Sequence, residues 1–294
     1  MFFECALIGA TASGKSALAI ELAKVINGVI LSLDSLACYK KIDIASAKPT
    51  QKELESVRHF GINLVYPDAK FNVVKFIDEY KIAKNYAQKR KIPLIITGGS
   101  SFYLNSMLKG LVPYVKPSNL TLSNDEIWEL ILKIDPLFSA KFSKNDSYRL
   151  NRWLDIYTAT KQIPTQFLKE QTQKPTIEKI PIYEIKMDRA ELRDKIKQRT
   201  KEMIGLGLLG EAKMLFDEYG REHKALQSIG LKECGDFFDG KIKDEDELVE
   251  LISTHTAQLA KRQTTFNRSK FKDKFSGDKE SIAKEILRLR EANS

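Results

Sequence analysis

The sequence predicts an α/β fold in which a parallel sheet is flanked by helices and interrupted by a helical insertion. In the first third of the chain, apolar runs of strand length alternate with amphipathic runs of helix length, a pattern typical of βαβ units. A glycine-rich loop, Gly9–Ser16, joins the first apolar run to the first helical run. Beyond Pro113 the pattern changes to short helical runs. These three observations indicate a sheet-based core and a separate helical region.

The core elements follow in chain order. Five apolar runs predict strands, namely Phe2–Ile8, Gly28–Leu33, Phe60–Val65, Pro93–Thr97 and Pro181–Met187. Apolar residues at helical spacing predict helices from the glycine-rich loop to Ile26, over Val73–Lys89, from Ser101 to Lys109, within Glu191–Tyr219, over Glu245–Asn267, and from Lys279 onward. Because strands that alternate with helices form parallel sheets, their carboxyl ends are expected at one edge, where ligands bind.

The insertion is predicted to span residues 114–178, which leaves residues 1–113 and 179–294 as the core. Its short helical runs are Glu126–Lys133, Pro136–Phe142 and Tyr148–Thr160, and prolines separate or bound them. The strand at Pro181–Met187 is expected to return the chain to the sheet.

The glycine-rich loop matches the phosphate-binding pattern G-x-x-x-x-G-K-[ST] in its proper context, after a strand and before a helix. Its backbone N–H groups and the helix dipole attract phosphate oxygens, Lys15 adds a positive charge, and the Ser16 hydroxyl can bind Mg²⁺. The sequence therefore predicts a P-loop NTPase-like core that binds a diphosphate or triphosphate, and the loop alone leaves open whether ATP is that ligand. The predicted phosphate-binding residues are Gly9, Ala10, Thr11, Ala12, Ser13, Gly14, Lys15 and Ser16.

Composition narrows the class of protein. The 294 residues are 43% apolar and carry a formal net charge of +9, which is compatible with a nucleic-acid partner and also with an ordinary small enzyme. The three cysteines and three histidines are too scattered for a disulfide framework or a zinc site. Since the N-terminus reads as a strand and no apolar run reaches 18 residues, we expect a cytoplasmic protein without a membrane span.

Asp34 follows the second predicted strand and is the main acidic candidate at the sheet edge. It could bind Mg²⁺ or act as a general base. The strand Pro93–Thr97 is followed by Gly98-Gly99-Ser100, without the second carboxylate that a Mg²⁺-dependent kinase normally carries there. Both roles for Asp34 stay open at this point.

Several motifs together resemble those of the tRNA dimethylallyltransferases. They are, in chain order, Gly9–Ser16, Asp34–Pro49, Gly98–Leu104, Asn145–Leu154, Met203–Glu211, Gln227–Glu233 and Gln258–Phe266, and they span about residues 5–270. The chain departs from the family pattern in several places. Ala10 stands where proline is usual, Lys195 stands where arginine is common, and the insertion looks about ten residues shorter, without an early arginine.

The resemblance implies transfer of a dimethylallyl group from dimethylallyl diphosphate to N6 of adenosine 37, beside the tRNA anticodon. It implies Asp34 as general base, Ser100 as a hydroxyl that assists at the same adenine amine, and the loop as holder of the Mg²⁺-diphosphate through Lys15 and Ser16. It implies a binding surface for the anticodon stem-loop formed by Asp34, Ser35, Leu36, Ala37, Ser100, Tyr148, Arg149, Leu150, Asn151, Arg152, Lys261 and Arg262. We further expect a monomer.

Other functions fit parts of the sequence. A phosphate-loop kinase could use Arg149 and Arg152 as a lid, and an adenylate isopentenyltransferase would share the core but use a free nucleotide. A non-catalytic RNA-binding module would not need Lys15. The large insertion and the basic charge favour an RNA substrate.

Overall fold

The computed structural model describes residues 2–292, which form two compact units. One unit comprises the residues up to Asn105 together with those from Lys179 on, and the other is Ser106–Glu178. The first contains a six-stranded parallel sheet, which confirms the predicted α/β class. Its strands are β1 (Glu4–Gly9), β2 (Val29–Ser32), β3 (His59–Phe60), β4 (Leu94–Gly98), β5 (Ile182–Ile185) and β6 (Phe275–Gly277), in the spatial order β3-β2-β4-β1-β5-β6.

Thirteen α-helices are described in residues 2–292. The first unit contains α1 (Lys15–Val25), α2 (Gln51–Ser56), α3 (Val73–Arg90), α9 (Arg189–Gly205), α10 (Leu208–Tyr219), α11 (Leu231–Phe238), α12 (Glu245–Lys270) and α13 (Lys279–Ala292). The second contains α5 (Asn124–Ile134), α6 (Pro136–Ser139), α7 (Ser147–Thr160) and α8 (Pro164–Gln171), and α4 (Ser101–Lys109) runs across the division. None of the helices in this range has the length and apolar character needed to cross a membrane.

Helices pack against the sheet, and the first unit contains two apolar clusters, of which the first includes strand residues and the second does not. One packs α1 and α13 against the central strands, with Leu7, Leu18 and Ile282 among its buried members. The other joins α10, α11 and α12 to the loop that follows β2, with Cys38, Leu226 and Ile252 among its members. Because both faces are covered, the strands are continuous apolar runs instead of alternating ones, as in β1, where every residue is buried.

Strand order places the predicted functional loops side by side. β4 lies between β2 and β1, with Ser32 opposite Thr97 and Ile8 opposite Gly98. The glycine-rich loop, the Asp34 loop and the Gly98–Ser101 turn therefore all leave the same edge of the sheet, at the carboxyl ends of three adjacent strands.

Four core elements differ from the prediction. The predicted strand Phe60–Val65 is only two residues long, because Gly61 and Asn63 adopt positive φ values of 81° and 56° that turn the chain away from the sheet. The short elements α2, α11 and β6 escaped prediction. β6 has only three residues and pairs with β5 through contacts distant in sequence, which a local pattern does not reveal.

The helical unit begins at Ser106, eight residues before the predicted start at 114. The chain entering the unit pairs with the chain leaving it, because Thr176 N–H donates to Met107 O at 2.8 Å and Gln173 N–H donates to Leu111 O at 2.8 Å. The unit has its own apolar cluster, which includes Ile127 and Trp153.

Candidate active site

The glycine-rich loop forms a tight anion cradle at the end of β1. Its backbone closes through the Ser13 N–H, which donates to Ala10 O at 3.2 Å. Ala12 and Gly14 take positive φ values of 62° and 81°, so the loop reverses direction twice within three residues before α1 begins. A turn of this kind directs successive N–H groups to one side, where they can bind an anion together with the N-terminus of α1.

Gly14 allows a lysine from the distant helix α13 to approach the cradle. A methyl group on Gly14 would lie 2.3 Å from Lys279 Nζ, so the ammonium group rests directly against the loop backbone. Lys279 is exposed, and no carboxylate among residues 2–292 pairs with it. The loop therefore has a second cation beside it, supplied by a helix that starts more than 260 residues later.

Lys15 is buried within the cradle, with 8% of its surface exposed. Its Nζ donates to Ala10 O at 3.1 Å, which folds the side chain back over the loop. Burial lowers the pKa of Lys15 to about 8, while the charge of Asp34 raises it and the charge of Arg199 lowers it further. A bound anion would stabilise the charged form of this lysine.

Asp34 is held by an Asx turn at the end of β2. Its Oδ1 accepts hydrogen bonds from Leu36 N–H at 2.8 Å and Ala37 N–H at 3.2 Å. No group among residues 2–292 donates to Oδ2. One oxygen is thus used to fix the carboxylate, and the other remains available to accept a proton or bind a cation.

The turn after β4 brings Ser100 to Asp34. Gly98 permits this contact, because any Cβ at that position would lie 2.2 Å from Leu33 O, the carbonyl just before Asp34. Ser100 N–H donates to the same carbonyl at 2.9 Å, and Ser100 Oγ accepts from Ser35 N–H at 3.1 Å. The two predicted catalytic residues therefore belong to one hydrogen-bonded group of adjacent loops.

Two further side chains bind the phosphate loop, and the sequence analysis gave neither of them this role. Arg199 on α9 is largely buried, and its Nη1 donates to Thr11 Oγ1 at 3.3 Å. It lies three residues after the buried Ile196, so helical spacing alone could have indicated that it points toward the core. Gln263 on α12, which lies in the motif Gln258–Phe266, accepts at its Oε1 from Thr11 N–H at 2.8 Å.

The protein donors near the cradle suit Mg²⁺ only in combination with phosphate oxygens. Ser16 Oγ is exposed at the start of α1, and Asp34 Oδ2 is available after the end of β2, which β4 separates from β1. Within residues 2–292, no group of three His, Cys, Asp or Glu side chains could hold a metal ion by itself. One hydroxyl, one carboxylate, phosphate oxygens and water form an ordinary oxygen set for this ion.

The predicted tRNA-binding residues of the first unit differ in exposure. Ser35, Lys261 and Arg262 are exposed, and Leu36 is half-buried. Ala37 is 4% exposed, so its contribution to the site is the backbone N–H that holds Asp34.

In the helical unit, α7 presents some of its predicted residues and buries others. Tyr148 is 82% exposed, and Arg149 pairs with Asp146 while lying 5.0 Å above the ring centre of Phe142. Leu150 was predicted to contact tRNA, but its side chain is completely buried in the apolar cluster of the unit, since helical periodicity turns it inward. A role for Leu150 in tRNA binding stays a prediction, and in this structure its side chain does not face solvent.

Arg152 and Asn151 are also engaged within the helical unit. The Arg152 guanidinium donates to Val115 O at 3.2 Å and Pro113 O at 3.1 Å, which ties α7 to the irregular segment before α5. Asn151 Nδ2 donates to Ser147 O at 2.8 Å. Arg149 and Arg152, three residues apart on α7, therefore have different surroundings.

Comparison with known proteins gives consistent results. Residues 37–270 match the model of the IPP transferase family. The chain is 58% identical over 289 residues to a tRNA dimethylallyltransferase from Campylobacter concisus, covering 98% of this chain and 99% of that one. It is 46% identical to a tRNA dimethylallyltransferase from Nautilia profundicola, covering 96% of this chain and 98% of that one.

Solved structures share the fold over nearly the whole chain. A tRNA isopentenylpyrophosphate transferase from Staphylococcus epidermidis matches with a TM-score of 0.73 at 28% identity, covering 100% of both chains. A eukaryotic dimethylallyltransferase, described as acting on tRNA, matches with a TM-score of 0.78 at 26% identity, covering 95% of this chain and 74% of that one. Taken with the family match, these similarities show that the chain belongs to the IPP transferase family, that of the tRNA dimethylallyltransferases.

Proposed function

We propose that this protein transfers a dimethylallyl group from dimethylallyl diphosphate to N6 of adenosine 37 in tRNA, with release of diphosphate. The observation that carries the proposal is the arrangement of three adjacent strand ends. A cationic cradle stands at the end of β1, and the Asp34–Ser100 pair stands at the ends of β2 and β4. Family membership supports the same reaction class.

The cradle would bind the diphosphate and stabilise it as it leaves. Negative charge grows on the bridging oxygen as the allylic carbon–oxygen bond breaks, and positive groups already oriented toward it lower the barrier. Lys15, Arg199 and the loop N–H groups are such groups. Mg²⁺, held by Ser16 and the phosphate oxygens, would supply further charge neutralisation when bound.

Asp34 would accept the proton that the adenine amine loses. The exocyclic amine is a weak nucleophile because its lone pair is delocalised into the ring, so the new carbon–nitrogen bond requires removal of a proton. Asp34 Oδ2 has no donor from the described residues, and Oδ1 is fixed by two backbone N–H groups. Ser100 Oγ accepts one N–H and keeps its own hydrogen to donate to the base.

The target adenine would have to leave the stacked anticodon loop to reach these groups, as bases do in other enzymes that modify them. Exposed cationic and aromatic side chains such as Lys261, Arg262, Tyr148 and Arg149 would bind the surrounding RNA through phosphates and stacking.

One experiment separates this proposal from its rivals. The protein is incubated with radiolabelled dimethylallyl diphosphate and, in parallel, with unmodified tRNA, the same tRNA carrying guanosine at position 37, or AMP. Label in the unmodified tRNA only is the expected result. Label in AMP would indicate an adenylate isopentenyltransferase, and phosphoryl transfer from ATP without label in RNA would indicate a kinase.

A further inference from the structure

Gln263 is the one described side chain that hydrogen-bonds both the phosphate loop and the turn after β4. Its Oε1 accepts from Thr11 N–H at 2.8 Å, and its Nε2 donates to Gly99 O at 3.1 Å. The two partners are 88 residues apart in sequence and lie on opposite sides of the side chain. A single carboxamide therefore spans the distance between the two loops.

The contact with Gly99 is unusually close. A Cβ at Gly99 would lie 2.4 Å from Gln263 Nε2, so any side chain there would displace the carboxamide. Gly99 directly precedes Ser100, whose Oγ accepts from Ser35 N–H next to Asp34. Gln263 therefore connects the phosphate loop to Gly99 by hydrogen bonds, and the next residue, Ser100, hydrogen-bonds Leu33 and Ser35 on either side of Asp34.

The backbone of α12 fixes where this side chain starts. Ala260, three residues earlier, is 2% exposed and packs in a small apolar cluster with Ala10 of the phosphate loop and Ile196 of α9. Lys261 and Arg262, on the same turn, are exposed. The helix that holds the loops at this point thus also carries two cations expected to contact RNA.

We propose that Gln263 is a positioning residue that sets the distance between the phosphate loop and the Asp34–Ser100 pair, and hence between the leaving group and the acceptor amine. The expected effect of Gln263 on catalysis rests on the proposed function. The structural part of the assignment is independent, because it states that anion binding at the loop is transmitted through Gln263 to the turn at Gly98–Phe102. The rate of transfer between two bound groups falls steeply when they are misplaced by about 1 Å.

Two variants disturb the link from opposite sides. Gln263→Met keeps the length of the side chain and removes both hydrogen bonds, and Gly99→Ala displaces the carboxamide without altering α12. Gln88→Met, at an exposed position of α3, is the matched control. We expect either variant to lower kcat about tenfold to hundredfold at saturating donor, with KM for the donor changed less than threefold.

The double variant provides the test of linkage. If both changes break one connection, Gln263→Met combined with Gly99→Ala lowers kcat no more than the more severe single variant. Additive losses would overturn the proposal, as would an unchanged kcat in Gln263→Met. Should Gln263→Met fail to fold, Gly99→Ala alone must still show a fall in kcat without a rise in the donor KM.

Hydrogen exchange separates this inference from the proposed reaction. Inorganic pyrophosphate is expected to protect the segment 98–102 of the unaltered protein, and this protection should vanish in Gln263→Met although pyrophosphate still binds. Retained protection in the variant would overturn the inference. The two proposals can also fail separately. If pyrophosphate protects segment 98–102 in the unaltered protein but not in Gln263→Met, and the unaltered protein transfers no label to tRNA, the link through Gln263 is upheld and the proposed reaction is disproved.

Discussion

Asp34 presents its two carboxylate oxygens to different surroundings, and this asymmetry is the basis of a test. Asp34→Asn keeps an oxygen that can accept the Leu36 and Ala37 N–H groups but removes the base. We expect turnover to fall by about 10²–10⁴-fold, while pyrophosphate affinity stays within a few-fold of the original. Rapid-quench transfer assays and calorimetry measure the two quantities. A loss of Mg²⁺-pyrophosphate affinity that accounts for the fall in turnover would assign Asp34 to metal binding instead.

Lys15 should make anion binding dependent on pH. Its pKa is lowered to about 8 by burial, so above that pH the empty site increasingly holds a neutral lysine. Since a bound anion favours the charged form, binding takes up a proton and weakens as pH rises through and beyond about 8. Calorimetric titration with pyrophosphate between pH 7 and 9.5 measures the slope.

The control for this prediction is Lys15→Arg, whose guanidinium stays charged throughout the range. The variant is expected to keep only the slope due to the titration of pyrophosphate itself. Equal slopes in the two proteins would show that Lys15 does not titrate in this range.

At the residue scale, sequence patterns located the chemistry but not all of its support. The phosphate loop, Asp34 and Ser100 were placed at one edge of the sheet because each follows a predicted strand, while the roles of Asp34 and Ser100 came from the family resemblance. Arg199 and Gln263 received no individual role, because each reaches the loop through contacts more than 180 residues apart in sequence. The burial of the Leu150 side chain was not foreseen, since a motif match does not distinguish the buried residue of a helix from its exposed neighbours.

At the scale of elements, Glu211 connects α10 to the loop that follows the Asp34 turn. Its two carboxylate oxygens accept the N–H groups of Asp43, Ile44 and Ala45 at 2.8–2.9 Å. Glu211→Ala would leave these donors without their charged acceptor, and we expect a loss of about 2–4 kcal/mol in the free energy of unfolding. Glu211→Gln should cost less, because one amide oxygen can still accept.

Urea unfolding measures these costs, and Glu250→Ala on α12, at an exposed surface pair with Lys197, is the control. If Glu211→Ala lowered the free energy of unfolding no more than that control, the three hydrogen bonds would not be what holds the loop.

α3, which has a clear helical period, was predicted to within one residue at each end, and α12 was predicted from its first residue but to Asn267, three residues before its end. The loop that Glu211 binds has no period, and its conformation depends on a helix far along the chain.

At the scale of the whole molecule, the net charge of +9 provides a general attraction for RNA. The contribution of one specific contact to tRNA affinity must therefore be compared with the loss of an equal charge elsewhere on the surface. Arg149→Ala is expected to weaken tRNA binding and to reduce the slope of log K against log salt by about 1. Arg288→Ala on α13 is a matched control, because Arg288 also pairs with an acid three residues away. Equal slopes for both variants would assign the effect to net charge alone.

The contribution of α13 to the core also has a consequence for the order in which the protein folds during synthesis. Ile282 and Ile286 share one apolar cluster with Leu7 and Leu18, and Lys279 rests against Gly14. The surface of α1 that they cover is synthesised more than 250 residues before the residues that cover it. Such distant pairing slows folding and leaves apolar surface exposed in the nascent chain, which makes the growing polypeptide a natural client for chaperones.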